Sequence, residues 1–167
     1  MTKKADPAIL TQLMSTNEEV VLQALQELRS SGSPVYIPVF AEMLLTGIGV
    51  EVRNGILGLL GELKEKESAH VLVETIQNEH FLPVRKELIA ACWQNGLDYA
   101  PWLSQFVDWV IGHEMEIAFE AFTVIENLET FPEDEIREAE IRKINHALQD
   151  ADQVKAYLLK ELRGIIA

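Results

Sequence analysis

The chain has 167 residues, of which 48% are apolar, with 27 acids against 14 Lys and Arg for a net charge of −13. Such a length fits one domain or a repeat array and buries roughly 70% of its unfolded surface, and the apolar content excludes a disordered chain. The charge argues against a nucleic-acid surface or docking on an anionic membrane, because both need Lys and Arg; it fits a basic protein partner and, equally, plain solubility.

The pattern predicts an all-α chain. Asp6-Pro7 starts a short helix carrying Ile9, Leu10 and Leu13, with Pro in a first turn whose N–H groups have no intrahelical partner. From there a repeat organises the sequence. Val20, Val52, Val84 and Ile117 act as anchors, spaced by 32, 32 and 33 residues. Four residues on stand Ala24, Ile56, Leu88 and Ala121; five on, Leu25, Leu57, Ile89 and Phe122; eight on, Leu28, Leu60, Cys92 and Ile125. Apolar residues at i, i+4, i+5 and i+8 mark one face of a helix. The anchored helices are expected near 17–31, 50–63, 82–95 and 113–128.

A second helix follows each of the first three, marked by Phe40 and Leu44, Leu72 and Ile76, and Leu103 and Val107, with Pro38 and Pro101 near the start of two of them. Turns are expected at Ser30-Ser31-Gly32-Ser33-Pro34, Thr46-Gly47-Ile48-Gly49, Asn95-Gly96 and Ile111-Gly112. The last unit is longer. Thr130 reads as an N-cap with Pro132 in the first turn, and helix runs from about Pro132 to Leu148. Asp150 or Asp152 then caps a final helix carrying Val154, Leu158, Leu162 and Ile165. No segment alternates with period two, so no sheet is predicted. The division is a single repeat domain over 1–167: a cap helix at 1–16, repeats over 17–130 and a capping hairpin at 131–167.

The units resemble HEAT repeats of the short form found in many bacterial proteins. The resemblance rests on the Val52-Arg53 and Val84-Arg85 helix starts, the apolar pattern after them, and Pro38 and Pro101, over roughly 17–130. The period is shorter than the usual HEAT length, and Val21 and Ala118 stand where the Arg would be, which leaves an armadillo-like class open. The resemblance implies a right-handed α-α superhelix, an α-solenoid of four to five helical hairpins, working as a protein-binding scaffold and not an enzyme. Its inner wall would be the anchored helices, with an acidic or small stripe of Glu19, Gln23, Gln26, Glu51, Gly55, Gly58, Glu87, Ala90, Gln94, Glu116, Glu120 and Asn127. The alternative it implies is a HEAT-like enzyme. A glycosylase would need a basic groove, and no chromophore-lyase motif carries over.

Individual residues support binding over chemistry. Gly47, Gly49, Gly55, Gly58 and Gly61 do not spell a phosphate loop, and close helix packing is their expected role. His113 with Glu116 and Glu120, and His70 with Glu74, share helix faces, but a metal needs ligands converging from several elements. Cys92, the only cysteine, falls in the core register. No cofactor or metal is expected. No apolar run follows Met1–Pro7 or spans about 20 residues, so the expected location is cytoplasmic.

Two features point to a surface. Trp93, Tyr99, Trp102, Phe106 and Trp109 cluster, with Trp102, Phe106 and Trp109 on one helix face. Residues 97–130 contain no Lys or Arg and seven acids. The expected partner site is therefore Glu116 and Glu120 beside an exposed edge of Trp102 or Trp109, with Glu87 and Glu51 along the same stripe.

Overall fold

The computed structural model describes residues 4–31 and 34–167. The first three residues of the N-terminal stretch, and Gly32 and Ser33 of the first expected turn, lie outside the described residues. The described residues form ten α-helices and three short 3-10 segments, with no strand. They fall into two compact units, residues 1–97 and 98–167.

The N-terminal unit contains α1 (Pro7–Leu13), α2 (Glu18–Ser31), α3 (Ile37–Leu44), α4 (Val50–Gly61), α5 (Lys66–Gln77) and α6 (Arg85–Asn95), with 3-10 segments at Pro34–Tyr36 and Glu79–Val84. The α1 start is as expected: Pro7 holds the first helical position and the Ala8 N–H donates to the Asp6 carboxylate at 2.9 Å. The anchored helices α2, α4 and α6 pack side by side in one layer, and α3 and α5 pack together in the other.

Glycines let α4 sit between its neighbours. A Cβ on Gly55 would lie 3.1 Å from Leu25 Cδ1 of α2, and one on Gly61 would lie 2.9 Å from Gln94 Oε1 of α6. Ionic and polar ties bind the same layer: Arg29 to Glu62 at 3.7 Å, Arg53 to Glu87 at 2.8 Å, and Asn95 Nδ2 donating to the Leu60 carbonyl at 3.2 Å. Gly96, at φ 65°, ends α6 in the left-handed conformation that favours glycine.

The repeat register is visible in burial. Every i+4 and i+8 residue of the four anchored helices is buried, as are Leu25, Ile89 and Phe122 at i+5; Leu57 is half-buried. The anchors divide. Val52 and Val84 are buried, whereas Val20 and Ile117 are half-buried and the next residues, Val21 and Ala118, take their place. The cause is the residue after the anchor. Where it is apolar, the stripe becomes 21-24-25-28 or 118-121-122-125, a regular i, i+3, i+4, i+7 face. Where it is Arg, the anchor itself is buried and the Arg follows it inward only with partners of its own; Arg53 stays half-buried.

Arg85 finds such partners. It is only 3% exposed, and its Nε–H donates at 3.0 Å to the Ile76 carbonyl in the last turn of α5, while Nη2 lies 3.2 Å from a Glu79 carboxylate oxygen. A cation there satisfies a carbonyl that the helix cannot and complements the negative end of its dipole.

The C-terminal unit contains a 3-10 turn at Ala100–Trp102, then α7 (Leu103–Gly112), α8 (Met115–Glu126), α9 (Asp134–Ala147) and α10 (Gln153–Ile166). Helix α7 pairs with α8 and α9 with α10, while α8 packs on α10 and α7 on α9. Pro132 stands before α9 and not in its first turn; Phe131 and Pro132 are half-buried, the chain stays extended through Glu133, and Glu133 is the N-cap. Asp152 caps α10, accepting the Lys155 N–H at 2.8 Å. In α10 the buried face is Leu158, Leu159, Leu162 and Ile166, with Ile166 in place of the expected Ile165.

Candidate functional site

The expected site residues fall in both units. In the N-terminal unit Glu51 is exposed in the first turn of α4, and Glu87 is half-buried and tied to Arg53. In the C-terminal unit Glu116 is exposed in the first turn of α8, Glu120 is half-buried one turn on, and Trp102 is half-buried in the 3-10 turn.

Trp109 departs from expectation. It is 5% exposed and packs edge-on against Phe106, the ring centroids 5.1 Å apart. Phe106 in turn packs edge-on against Tyr99 at 5.7 Å, and Tyr99 meets Trp102 at 6.3 Å. The i, i+4, i+7 face of α7 is thus interior: edge-to-face rings bury large apolar area and fix one another's orientation. The exposed tryptophan is Trp93, on α6 of the other unit.

The aromatic that does reach solvent beside the acids is Phe119, which sequence reasoning missed. It lies on α8, 55% exposed, and Glu116 at i−3 is its neighbour on the helix surface, with Glu120 one turn beyond Glu116 on the other side. Its ring stacks on Phe122 at 6.3 Å with an interplanar angle of 23°, which anchors one side and leaves the other to water. The backbone beneath is braced by Thr123 Oγ1 donating to the Phe119 carbonyl at 2.9 Å and Asn127 Nδ2 donating to the Thr123 carbonyl at 2.7 Å. The signal was present: 119 is two residues past the anchor, off the buried register, so a large apolar side chain there has no core to enter.

Charge is concentrated in the same unit. Residues 98–167 hold fifteen acids against six Lys and Arg, a net −9 of the chain's −13. Lys143, Lys155 and Arg137 are half-buried among the helices, whereas Arg142 and Lys160 are exposed. Lys143 of α9 reaches Asp108 and Glu140, each at 2.7 Å, and Ser104 Oγ at 3.0 Å, so Asp108 of the cation-free stretch is neutralised across helices. Burial pulls the Lys143 pKa down, but the hydrogen bonds and charges of Asp108 and Glu140 together carry it above the usual 10.5.

Lys155 donates from Nζ to the Val110 carbonyl at 2.6 Å and to that of His113, closing the C-terminal end of α7. Burial lowers its pKa, with Asp152 only partly offsetting the loss of water. Arg137 pairs with Asp134 and donates to the Ile166 carbonyl at the end of α10, at 3.2 Å.

His70 lies 3.6 Å from Glu74 within one helix turn, and His80 lies 2.7 Å from Glu42. Among the described residues no three His, Cys, Asp or Glu side chains converge as a metal site would require. Cys92 is buried, as its register implied. Among the described residues no helix is long and apolar enough to cross a membrane.

No protein-family model matches the chain, and no curated protein shows significant sequence similarity to it.

Proposed function

We propose that the helical hairpins are HEAT-like repeats of an α-solenoid scaffold, and that the chain works by binding a basic segment of a protein on the acidic, solvent-facing side of α8, part of the inner wall. The observation that carries the reading is Phe119, half in water and stacked on Phe122, one turn from Glu116 on α8 in a unit of net charge −9. A stacked aromatic loses little side-chain entropy on binding and gains desolvation, while the surrounding carboxylates raise the encounter rate and set orientation. The repeat reading is supported by the shared burial register of α2, α4, α6 and α8 and by the two-layer packing of the N-terminal unit. The same field disfavours nucleic acid and anionic membranes as partners.

The test is affinity capture from nuclease-treated extract of the native host with three baits: the wild-type chain, Phe119→Ser, and Glu116→Lys with Glu120→Lys. A basic protein retained by the wild-type bait and lost by about tenfold or more from both variants supports the reading, since a buried aromatic anchor and a steering pair each contribute on that order. Equal retention by all three folded baits refutes it.

A further inference from the structure

The N-terminal unit holds a groove that the α8 reading does not use. It has a volume of about 750 Å³ and lies where the α1–α2 turn meets the α3–α4 turn. Its walls are mainly apolar, built from Leu13, Met14, Val21, Met43, Ile48 and Val52, with the hydroxyl residues Ser15, Thr16 and Thr46 among them. Met14 is 82% exposed, an unbranched apolar side chain left in water at the groove's edge. Glu18 and Glu42 line the groove as well, and among the described residues neither Lys nor Arg does.

Both carboxylates are placed by contacts. Glu42 is fixed 2.7 Å from His80 Nε2. Glu18 rests against Gly49, with Oε1 3.0 Å from where a Cβ would stand, at the N-terminus of α4; any larger residue at 49 would displace it.

We infer that this groove is a docking site for an amphipathic helix whose apolar face is flanked by Lys or Arg. An apolar trough alone would accept any greasy ligand. The two carboxylates, with no Lys or Arg among the described lining residues, select a cationic one, and a mainly apolar trough of about 750 Å³ with carboxylates beside it suits the i, i+3, i+4, i+7 side chains of a helix flanked by Lys or Arg. The exposed methionine adapts to side chains of different shape, as flexible Met surfaces do. This site is independent of α8.

The methionines test it. Met14 and Met43 lie in the groove, and Met115 begins α8. With methyl-labelled methionine, a Leu/Lys peptide carrying leucines at helical spacing shifts the Met14 and Met43 signals and leaves Met115 in place. A Leu/Glu peptide and a Ser/Lys peptide of the same length each bind at least about tenfold more weakly. Met14→Ser, at an exposed position that spares the core, weakens the Leu/Lys peptide by about tenfold. Glu18→Gln and Glu42→Gln each weaken it by about threefold and flatten its salt dependence. Shifts confined to Met115, equal binding of the three peptides, or Met14 and Met43 shifts that follow protein concentration without peptide would each overturn the assignment, the last by making a second copy the occupant.

Discussion

Replacing Arg85 tests whether a buried cation at a helix end holds the N-terminal unit together. Arg85→Met keeps most of the apolar stem and removes the guanidinium. The Ile76 carbonyl, in a fully buried residue, then loses its 3.0 Å donor, which costs about 1–3 kcal/mol. The Glu79 contact adds little, about 0.5 kcal/mol, because that carboxylate is largely in water. Arg85→Met should therefore lower stability by about 2–3 kcal/mol. Arg85→Ala also removes buried methylenes at about 0.8 kcal/mol each and should reach about 4–5 kcal/mol. Arg53 occupies the equivalent place after its anchor, yet its partner Glu87 is partly solvated, so Arg53→Met should cost under about 1 kcal/mol. Urea unfolding followed by far-ultraviolet circular dichroism measures all three. Equal losses for Arg85→Met and Arg53→Met would refute the reasoning, since burial of the capped carbonyl is what separates them.

Core truncation should follow burial and not the repeat alone: Ile89→Ala should cost about 2–5 kcal/mol, and half-buried Leu57→Ala clearly less, by the same urea assay. Gly58→Ala should raise the melting temperature, corresponding to about 0.5–1 kcal/mol, because the nearest atom to a new Cβ is an Arg29 nitrogen at 3.8 Å and helix propensity improves. Gly55→Val should lower it, because even a single Cβ would press Leu25 at 3.1 Å. The two half-buried lysines should give opposite alkaline slopes in urea titrations. Lys143, with its pKa raised, contributes stability that is complete below 10.5 and lost as pH rises through the folded value, so wild type loses ground to Lys143→Met there. Lys155, with its pKa lowered, is held charged at a cost that is relieved as pH climbs towards 10.5, so wild type gains on Lys155→Met over that range.

The helices were legible because each buries a stripe of its own residues, and such a stripe is written locally. Leu28, Leu60, Cys92 and Ile125 could be aligned without a structure, and Asp6 and Asp152 announced their helices through short-range caps. The 3-10 segments around Pro83 and Pro101 were not separable from the helices that follow, since proline fixes φ in both. Pairings such as Lys155 with Val110, or Lys143 with Asp108, join residues 35–45 positions apart and leave no local trace. The site was half legible. Acid enrichment on α8 could be counted, but clustered tryptophans drew attention to 93–109, where a regular face is core, and away from Phe119, where an irregular one is surface. The groove was invisible for a related reason: its walls come from four helices and the turns between them, which only folding sets side by side.

The half-buried cations change how the molecule behaves in a crowd. A lysine half-buried to close a helix, as Lys155 is, still counts towards the net charge but softens the potential a neighbour meets less than a fully exposed one. Copies of this chain should therefore repel one another as like-charged colloids do, more strongly than −13 spread evenly would suggest. Above physiological ionic strength, where the screening length falls below about 8 Å, that repulsion fades. Light scattering should then show the osmotic second virial coefficient falling steeply with salt, and the chain packing most readily into crystals or condensates where salt or a polycation is abundant.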